Sequence, residues 1–272
     1  MRPFSLLFSL SAALWIAAGT ALAVPSPRLP DTLRPQPHQR DPYDWQARHE
    51  AVKKHNAAHR PEYVVIGDSI THHWGGEPGL GGHSWGKSSW EKLFGNHAVT
   101  NMGFGFDYID NAYYRIADDE LAGTSPRVII VLLGTNNLGH RHDSPEACAA
   151  NMKAFIALLR QKSPASKILL LGVLPRREQQ LAEPIAETNR KYRTLADNKK
   201  IYFLDLAREL AQPGTSKNAP LAHPVLFRDA VHLNAQGYEA VVLSLKKALK
   251  KIDPHYCLSI EKREAQLPPA KY

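Results

Sequence analysis

Five short apolar runs, each the length of a strand, recur after residue 60: Tyr63 to Ile66, Ala98 to Asn101, Val128 to Leu133, Ile168 to Val173 and Ile201 to Leu204. They are continuous rather than alternating, so both faces of each strand must be covered, a condition met by a parallel sheet inside an α/β protein. Segments of helical period separate most of them, at about Tyr108 to Leu121, Pro145 to Gln161 and Leu181 to Ala196, with a last one from Ala235 to Ile252. A polar, Ala-containing stretch from Asp44 to His59 reads as a short helix leading into the first strand. The alternation predicts an α/β three-layer sandwich around a central, mostly parallel, five-stranded sheet. Ligands bind such sheets outside the carboxyl ends of the strands. The first three runs are followed by Gly67-Asp68-Ser69, by Gly103 and by Gly134-Thr135-Asn136-Asn137, which this topology brings to one edge.

The 272 residues, 43 % of them hydrophobic, suffice for one large domain or at most two smaller ones. Residues 1–23 combine a basic Arg2, an apolar stretch from Phe4 to Ala18 and Ala21-Leu22-Ala23, the pattern of a cleaved export signal. The stretch is shorter than the roughly 20 residues a bilayer span needs. The expectation is an exported protein, periplasmic or secreted, with no stable membrane span after cleavage. Residues 24–43 carry Pro25, Pro27, Pro30, Pro35, Pro37 and Pro42 and read as a linker or a surface-hugging arm. The folded domain is expected over 44–254, with a tail over 255–272. Losing Arg2 takes the formal charge from +8 to +7, which favours anionic surroundings but names no substrate. Lys246, Lys247, Lys250 and Lys251 repeat at helical spacing and read as a solvated face, so no nucleic-acid partner is expected. Cys148 and Cys257 allow one disulfide or two buried thiols, and there is no Cys-x-x-Cys pair.

Four blocks stand in order: Gly-Asp-Ser-Ile at 67–70, Asn-x-Gly at 101–103, Gly-Thr-Asn-Asn at 134–137 and Asp-x-x-His at 229–232. Together they resemble the SGNH (GDSL-type) hydrolases over roughly residues 61–250. The sequence around them is similar to the branch that includes platelet-activating-factor acetylhydrolase catalytic subunits and bacterial carbohydrate acetylesterases. The resemblance implies a flavodoxin-like SGNH hydrolase fold and an oxyanion hole made by the Ser69 N–H, the Gly103 N–H and the Asn136 side chain. After Gly105 that branch has a further glycine where this chain has Phe106, a departure expected to leave Gly103 untouched.

The chemistry of the residues points the same way. A serine hydroxyl needs a base, and one at a strand-to-helix turn also has backbone N–H groups facing developing negative charge. Asp229 and His232 lie on one compact turn, where the carboxylate can orient the imidazole and the other ring nitrogen can face Ser69. Asn234 is a plausible cap for the last helix. Of the candidate substrate contacts, Trp74 belongs to a glycine-rich loop with Trp85 and Trp90, which reads as a wall beside Ser69 or as a small satellite core. His72 lies close enough to Ser69 to line a pocket, although a surface or core role is the commoner one, and Asn137 completes the set. His140, His142 and Asp143 form a metal-like cluster only on paper, so neither metal nor cofactor is expected.

Two overlapping motifs compete with Ser69. Gly82-His-Ser84-Trp-Gly86 matches a nucleophile elbow, and Gly81 to Ser88 matches a phosphate loop. Both need a strand immediately before them, and a glycine-rich loop precedes them here. The expectation is a serine esterase acting on short acyl, and foremost acetyl, esters of a small molecule or glycan through an acyl-enzyme on Ser69. The alternatives are a lipid or lysophospholipid esterase on the same site and a non-catalytic carbohydrate-binding module. Oligomeric state is not legible.

Overall fold

A computed structural model describes residues 28–38 and 43–256. The export-signal segment 1–23, Cys257 and nearly all of the tail lie outside the described residues, and with them the disulfide expectation. Cys148 is buried, and burial pushes its thiol up to about 12.

The five runs form one sheet, in the order β2-β1-β3-β4-β5, with every neighbouring pair parallel. The strands are β1 (Tyr63–Gly67), β2 (Val99–Gly103), β3 (Val128–Leu132), β4 (Lys167–Leu171) and β5 (Ile201–Leu204). The doubly wound order follows from covering both faces. On one face Val64, Ile66, Ile129, Val131, Ile168 and Leu170 pack against α1 (Trp45–His59), α4 (Ile109–Ala117), α6 (Pro145–Lys162) and α7 (Ala182–Arg193). On the other, Tyr63, Val65, Val128, Ile130, Leu169 and Leu171 meet α3 (Lys87–Phe94), α8 (Ala207–Leu210) and α9 (Ala235–Ile252). Successive residues of one strand thus serve different cores, which is why the runs carry no polar alternation.

Two further short helices, α2 (Ser69–His72) and α5 (Thr135–Gly139), begin directly after β1 and β3. With α3 and α8 they have four to eight residues, too few for a helical period to be read from sequence. Gly67 pairs with Gly103 on one side and Leu132 on the other, so β1, β2 and β3 end level. A Cβ on Gly67 would sit 2.8 Å from the Leu132 carbonyl oxygen and overlap Thr71, so the close turn into α2 needs glycine.

Beneath this edge lies a buried polar cluster. Arg115 pairs with Asp107 at 2.9 Å and with Glu120, and all three are fully buried. His49 bridges Glu120 at 2.8 Å and Asp118 at 2.7 Å, and Trp45 Nε1 donates to Asp107 at 2.7 Å. Arg48, also fully buried, donates to the carbonyls of Gly103, Pro78 and Leu80 at 2.8, 2.7 and 2.8 Å. The buried face of α1 is therefore largely polar, which explains why its sequence shows so weak an apolar stripe. Residues 28–38 lie along α4 and α6: Leu33 is buried, Arg34 N donates to Asp110 at 2.7 Å and Asn111 Nδ2 to the Gln36 carbonyl at 2.9 Å.

Removing the shared cation would leave buried Asp107 without a cationic partner and Glu120 with His49 alone. Arg115→Met is expected to destabilise the fold by about 3 to 5 kcal/mol, seen as a lower urea midpoint. A midpoint equal to wild type would show that the cluster contributes nothing to the fold.

Candidate active site

Ser69 is the first residue of α2, directly beyond the carboxyl end of β1. Asp68 caps that helix, its Oδ1 accepting the Ile70 N–H at 2.9 Å. The capped turn holds Ser69, a residue 8 % exposed, at the sheet edge. His232 arrives from 163 residues further along the chain, with Nε2 2.9 Å from Ser69 Oγ and Nδ1 2.8 Å from Asp229 Oδ2. The turn that carries it is built by Asp229 itself: Oδ1 accepts the Val231 and His232 N–H groups at 2.8 and 2.7 Å. A bridge between Phe227 and Leu233 and a 2.8 Å bond from Arg228 N to the His232 carbonyl close its base. Asn234 then caps α9 through the Gly237 N–H at 3.0 Å, and the Tyr238 hydroxyl donates to the Ile70 carbonyl at 2.7 Å. The first turn of α9 thereby locks the histidine turn against the serine helix.

The charges around this trio differ in kind. Burial pushes the Asp229 carboxyl upward, but the His232 and Val231 backbone N–H groups and the imidazole outweigh it and hold it below its usual range. Burial dominates at Asp68 and raises it to about 7. Burial, with the Arg48 charge nearby, lowers His72 to about 2, so its ring is neutral at ordinary pH. Burial, together with His83 and His232, takes His73 down to about 4.

The oxyanion expectations fare differently. The Ser69 N–H has no acceptor among the described residues. Asn136 is buried on α5, and one hydrogen of its Nδ2 goes to the Asp107 carbonyl at 3.0 Å. The Gly103 N–H, by contrast, is spent: it donates to Asn101 Oδ1 at 2.8 Å inside the end of β2. Phe104, Gly105 and Asp107 N–H groups also have acceptors, namely the Gly67 carbonyl at 2.9 Å, His72 Nδ1 at 3.1 Å and the Phe104 carbonyl at 3.2 Å. In this turn only the Phe106 N–H has none among the described residues. Phe106 adopts φ 65°, the left-handed region that favours glycine. The departure from glycine at Phe106 therefore falls on the residue whose backbone N–H stays open, and Gly103, expected as the donor, is not free to serve.

The three substrate-contact candidates are braces of the fold. Trp74 is buried, its Nε1 donating to Ser89 at 2.7 Å and its ring stacked on Tyr238 at 5.5 Å. His72 binds the Leu80 carbonyl through Nε2 at 2.9 Å and accepts from Gly105 through Nδ1. Asn137 is fully buried between the Ile109 N–H at 3.1 Å and Asp143 at 2.9 Å. Burial and these hydrogen bonds tie the three groups into the fold rather than turning them to a ligand. Of the three loop tryptophans only Trp85 reaches the site, its ring meeting His232 edge to face at 5.7 Å, and His73 stands 6.0 Å away. Glycine-rich sequence marked the loop, but not which indole turns outward.

Ser84 is exposed, at φ 52° in a loop, with no strand between β1 and α3 to present it. Asp143 is held by Arg141 at 2.6 Å and by Asn137, so the paper cluster with His140 and His142 has lost its carboxylate to a cation. Among the described residues, one trio of metal-binding type, His49, Glu50 and Asp118, has its ligand atoms close together, and both His49 nitrogens are already bonded to carboxylates. A cavity of about 740 Å³ opens between α7 and residues 205–220. None of the Ser69 group lines it, and its Arg190 and Arg193 face Glu183, Glu187 and Asp205.

Residues 65–240 match the model of the GDSL-like Lipase/Acylhydrolase family. The platelet-activating factor acetylhydrolase IB subunit alpha1 of Bos taurus is 28 % identical over 214 residues, covering 76 % of this chain and 83 % of that protein. Among solved structures, a GDSL-like lipase from Bacteroides thetaiotaomicron superposes with a TM-score of 0.54 at 20 % identity, over 75 % of this chain and 98 % of that one. Est24, a carbohydrate acetylesterase from Sinorhizobium meliloti, gives 0.52 at 16 % identity, over 70 % and 99 %. Both structural likenesses concern the fold.

The Asp68 carboxyl carries a pH signature. Its folded value near 7 exceeds its usual 3.8, so its contribution to stability is complete below about 3.8 and is lost as pH rises through 7. Wild type is expected to lose several degrees of melting temperature between pH 5 and 9 relative to Asp68→Asn. Parallel pH profiles for the two proteins would refute the buried-acid assignment.

Proposed function

Because this chain belongs to the GDSL-like lipase/acylhydrolase family and is an ester-hydrolysing enzyme, we propose that it is an exported short-acyl esterase with Ser69 as nucleophile. One observation carries the assignment: a single imidazole lies 2.9 Å from the Ser69 hydroxyl and 2.8 Å from Asp229. Ser69 Oγ attacks the ester carbonyl while His232 Nε2 takes its proton. Asp229 accepts from Nδ1, fixing the tautomer and stabilising the imidazolium. The tetrahedral oxyanion is met by the Ser69 N–H, the Phe106 N–H and the second hydrogen of Asn136 Nδ2. His232 returns its proton to the departing alkoxide, leaving an acyl group on Ser69. Water, deprotonated by the same imidazole, then releases the acid.

The acetylhydrolase relative supports a small acyl group, foremost acetyl. A carbohydrate is the proposed alcohol half, with Trp85 as the indole that remains at the site once Trp74 and Trp90 are counted in the core. Residues 1–23 are the proposed export leader, so a mature chain starting at Val24 should appear in the mass of the secreted protein.

A fluorophosphonate probe should label wild type and not Ser69→Ala, with kcat falling about 10³- to 10⁶-fold in that variant. Labelling that survives in Ser69→Ala but disappears in Ser84→Ala would move the nucleophile to the elbow motif. Asn136→Ala should lower kcat on 4-nitrophenyl acetate about 10²- to 10³-fold with little change in KM; a change confined to KM would remove Asn136 from the oxyanion hole.

A further inference from the structure

Arg228 stands directly across the turn from His232. Its N–H donates to the His232 carbonyl at 2.8 Å, and its guanidinium carbon lies 4.1 Å from the centre of the Trp85 ring. The edge of that same ring meets the His232 imidazole, while His83 stacks parallel to it at 5.1 Å. One indole therefore spans from the imidazole that moves the proton to a cation at the rim of the site.

Several arginines that shape this fold are neutralised. Arg115, Arg127, Arg141, Arg176 and Arg190 each pair with a carboxylate. Arg228 is exposed and has no carboxylate partner among the described residues. Its sequence neighbour cannot serve, because Asp229 spends Oδ1 on two backbone N–H groups and Oδ2 on the imidazole. A guanidinium seated over an indole keeps its N–H donors around its rim, where they suit the two oxygens of a carboxylate or phosphate. Seating on Trp85 also restricts the side chain before any ligand arrives.

The direction of the chemistry decides which half of the ester meets this cation. The departing oxygen must approach His232 to collect its proton, so the alcohol half lies on the His232 side, where Trp85 and Arg228 stand. We infer that Arg228 makes this site prefer esters whose alcohol half carries an anion, a carboxylate or a phosphate. The inference rests on Ser69 and His232 acting as proposed above.

Three matched aryl esters test it: phenyl acetate, 3-acetoxybenzoate and 3-acetoxyphenyl phosphate, each kcat/KM divided by the rate of its alkaline hydrolysis. Wild type should favour at least one anionic ester about fivefold at low salt, the size expected for an exposed charge pair. That preference should fade in 0.5 M NaCl, where screening is strong. Arg228→Lys should keep most of it, Arg228→Gln should bring the ratio to about one, and Arg228→Glu should reverse it. The carboxylate and phosphate arms tell which anion is favoured, and either supports the inference. The wild-type salt dependence needs no variant, so poor folding of a mutant leaves the test intact. Cleavage of phenyl acetate by wild type with an anion ratio near one, or a ratio indifferent to Arg228→Glu, overturns the inference alone. Absence of cleavage of all three esters, or equal cleavage by Ser69→Ala, overturns the nucleophile assignment and the inference with it.

Discussion

The level ending of β1, β2 and β3 is the constraint on which the site depends. β1 is paired on both sides, and its last residue, Gly67, meets Gly103 and Leu132 at the same height. Three loops consequently leave the sheet together: one starts the serine helix, one makes the turn through Phe106 and one starts the helix of Asn136. A one-residue slip in parallel register would turn the two cores inside out, since neighbouring residues of each strand face opposite layers. Burial of both apolar faces thus fixes the register, and the register aligns the catalytic loops.

That alignment is stiffened from below by polar groups that would be costly to bury singly. Arg48 ties α1 to the end of β2 and to the 78–80 loop, while Arg115 joins the turn after β2 to Glu120. Asp107 is a joint of both systems: its carboxylate serves Arg115 and Trp45, and its carbonyl receives the Asn136 amide. A buried charge tolerates little displacement, because moving it breaks bonds that no water replaces. The proposed oxyanion donors Phe106 and Asn136 are thereby held in place by the fold, as preorganised electrostatic stabilisation requires.

The two sides of the site have different characters. Towards the sheet, Asp68, His72 and Asn137 are buried and hydrogen-bonded within the fold, and they give shape. Towards solvent, Asp229 is half exposed and holds its position through its own turn, with Trp85 and Arg228 beside it. The alcohol recognition inferred for Arg228 and Trp85 lies on this outer side, where side chains still have exposed surface.

The sequence by itself determined the layers, the parallel strands, the longer helices and the Asp-x-x-His turn, because each rests on local periodicity or on short spacing, while the pairing of that turn with Ser69 rests on the resemblance of the four blocks taken together. The strand lacking before Ser84 was equally legible, and it counts against the elbow motif. Four short helices escaped because they contain no full period, and Trp74, His72 and Asn137 were misplaced as substrate contacts because burial is a property of the packed chain. Gly103 and Phe106 show the same divide most sharply. Which N–H remains open depends on Asn101, His72 and Gly67 arriving from three segments, so only the tertiary structure decided it. Arg228, unremarkable in the chain, gains its place beside His232 from a turn closed by a non-local sheet edge and from an indole supplied by the far end of another loop.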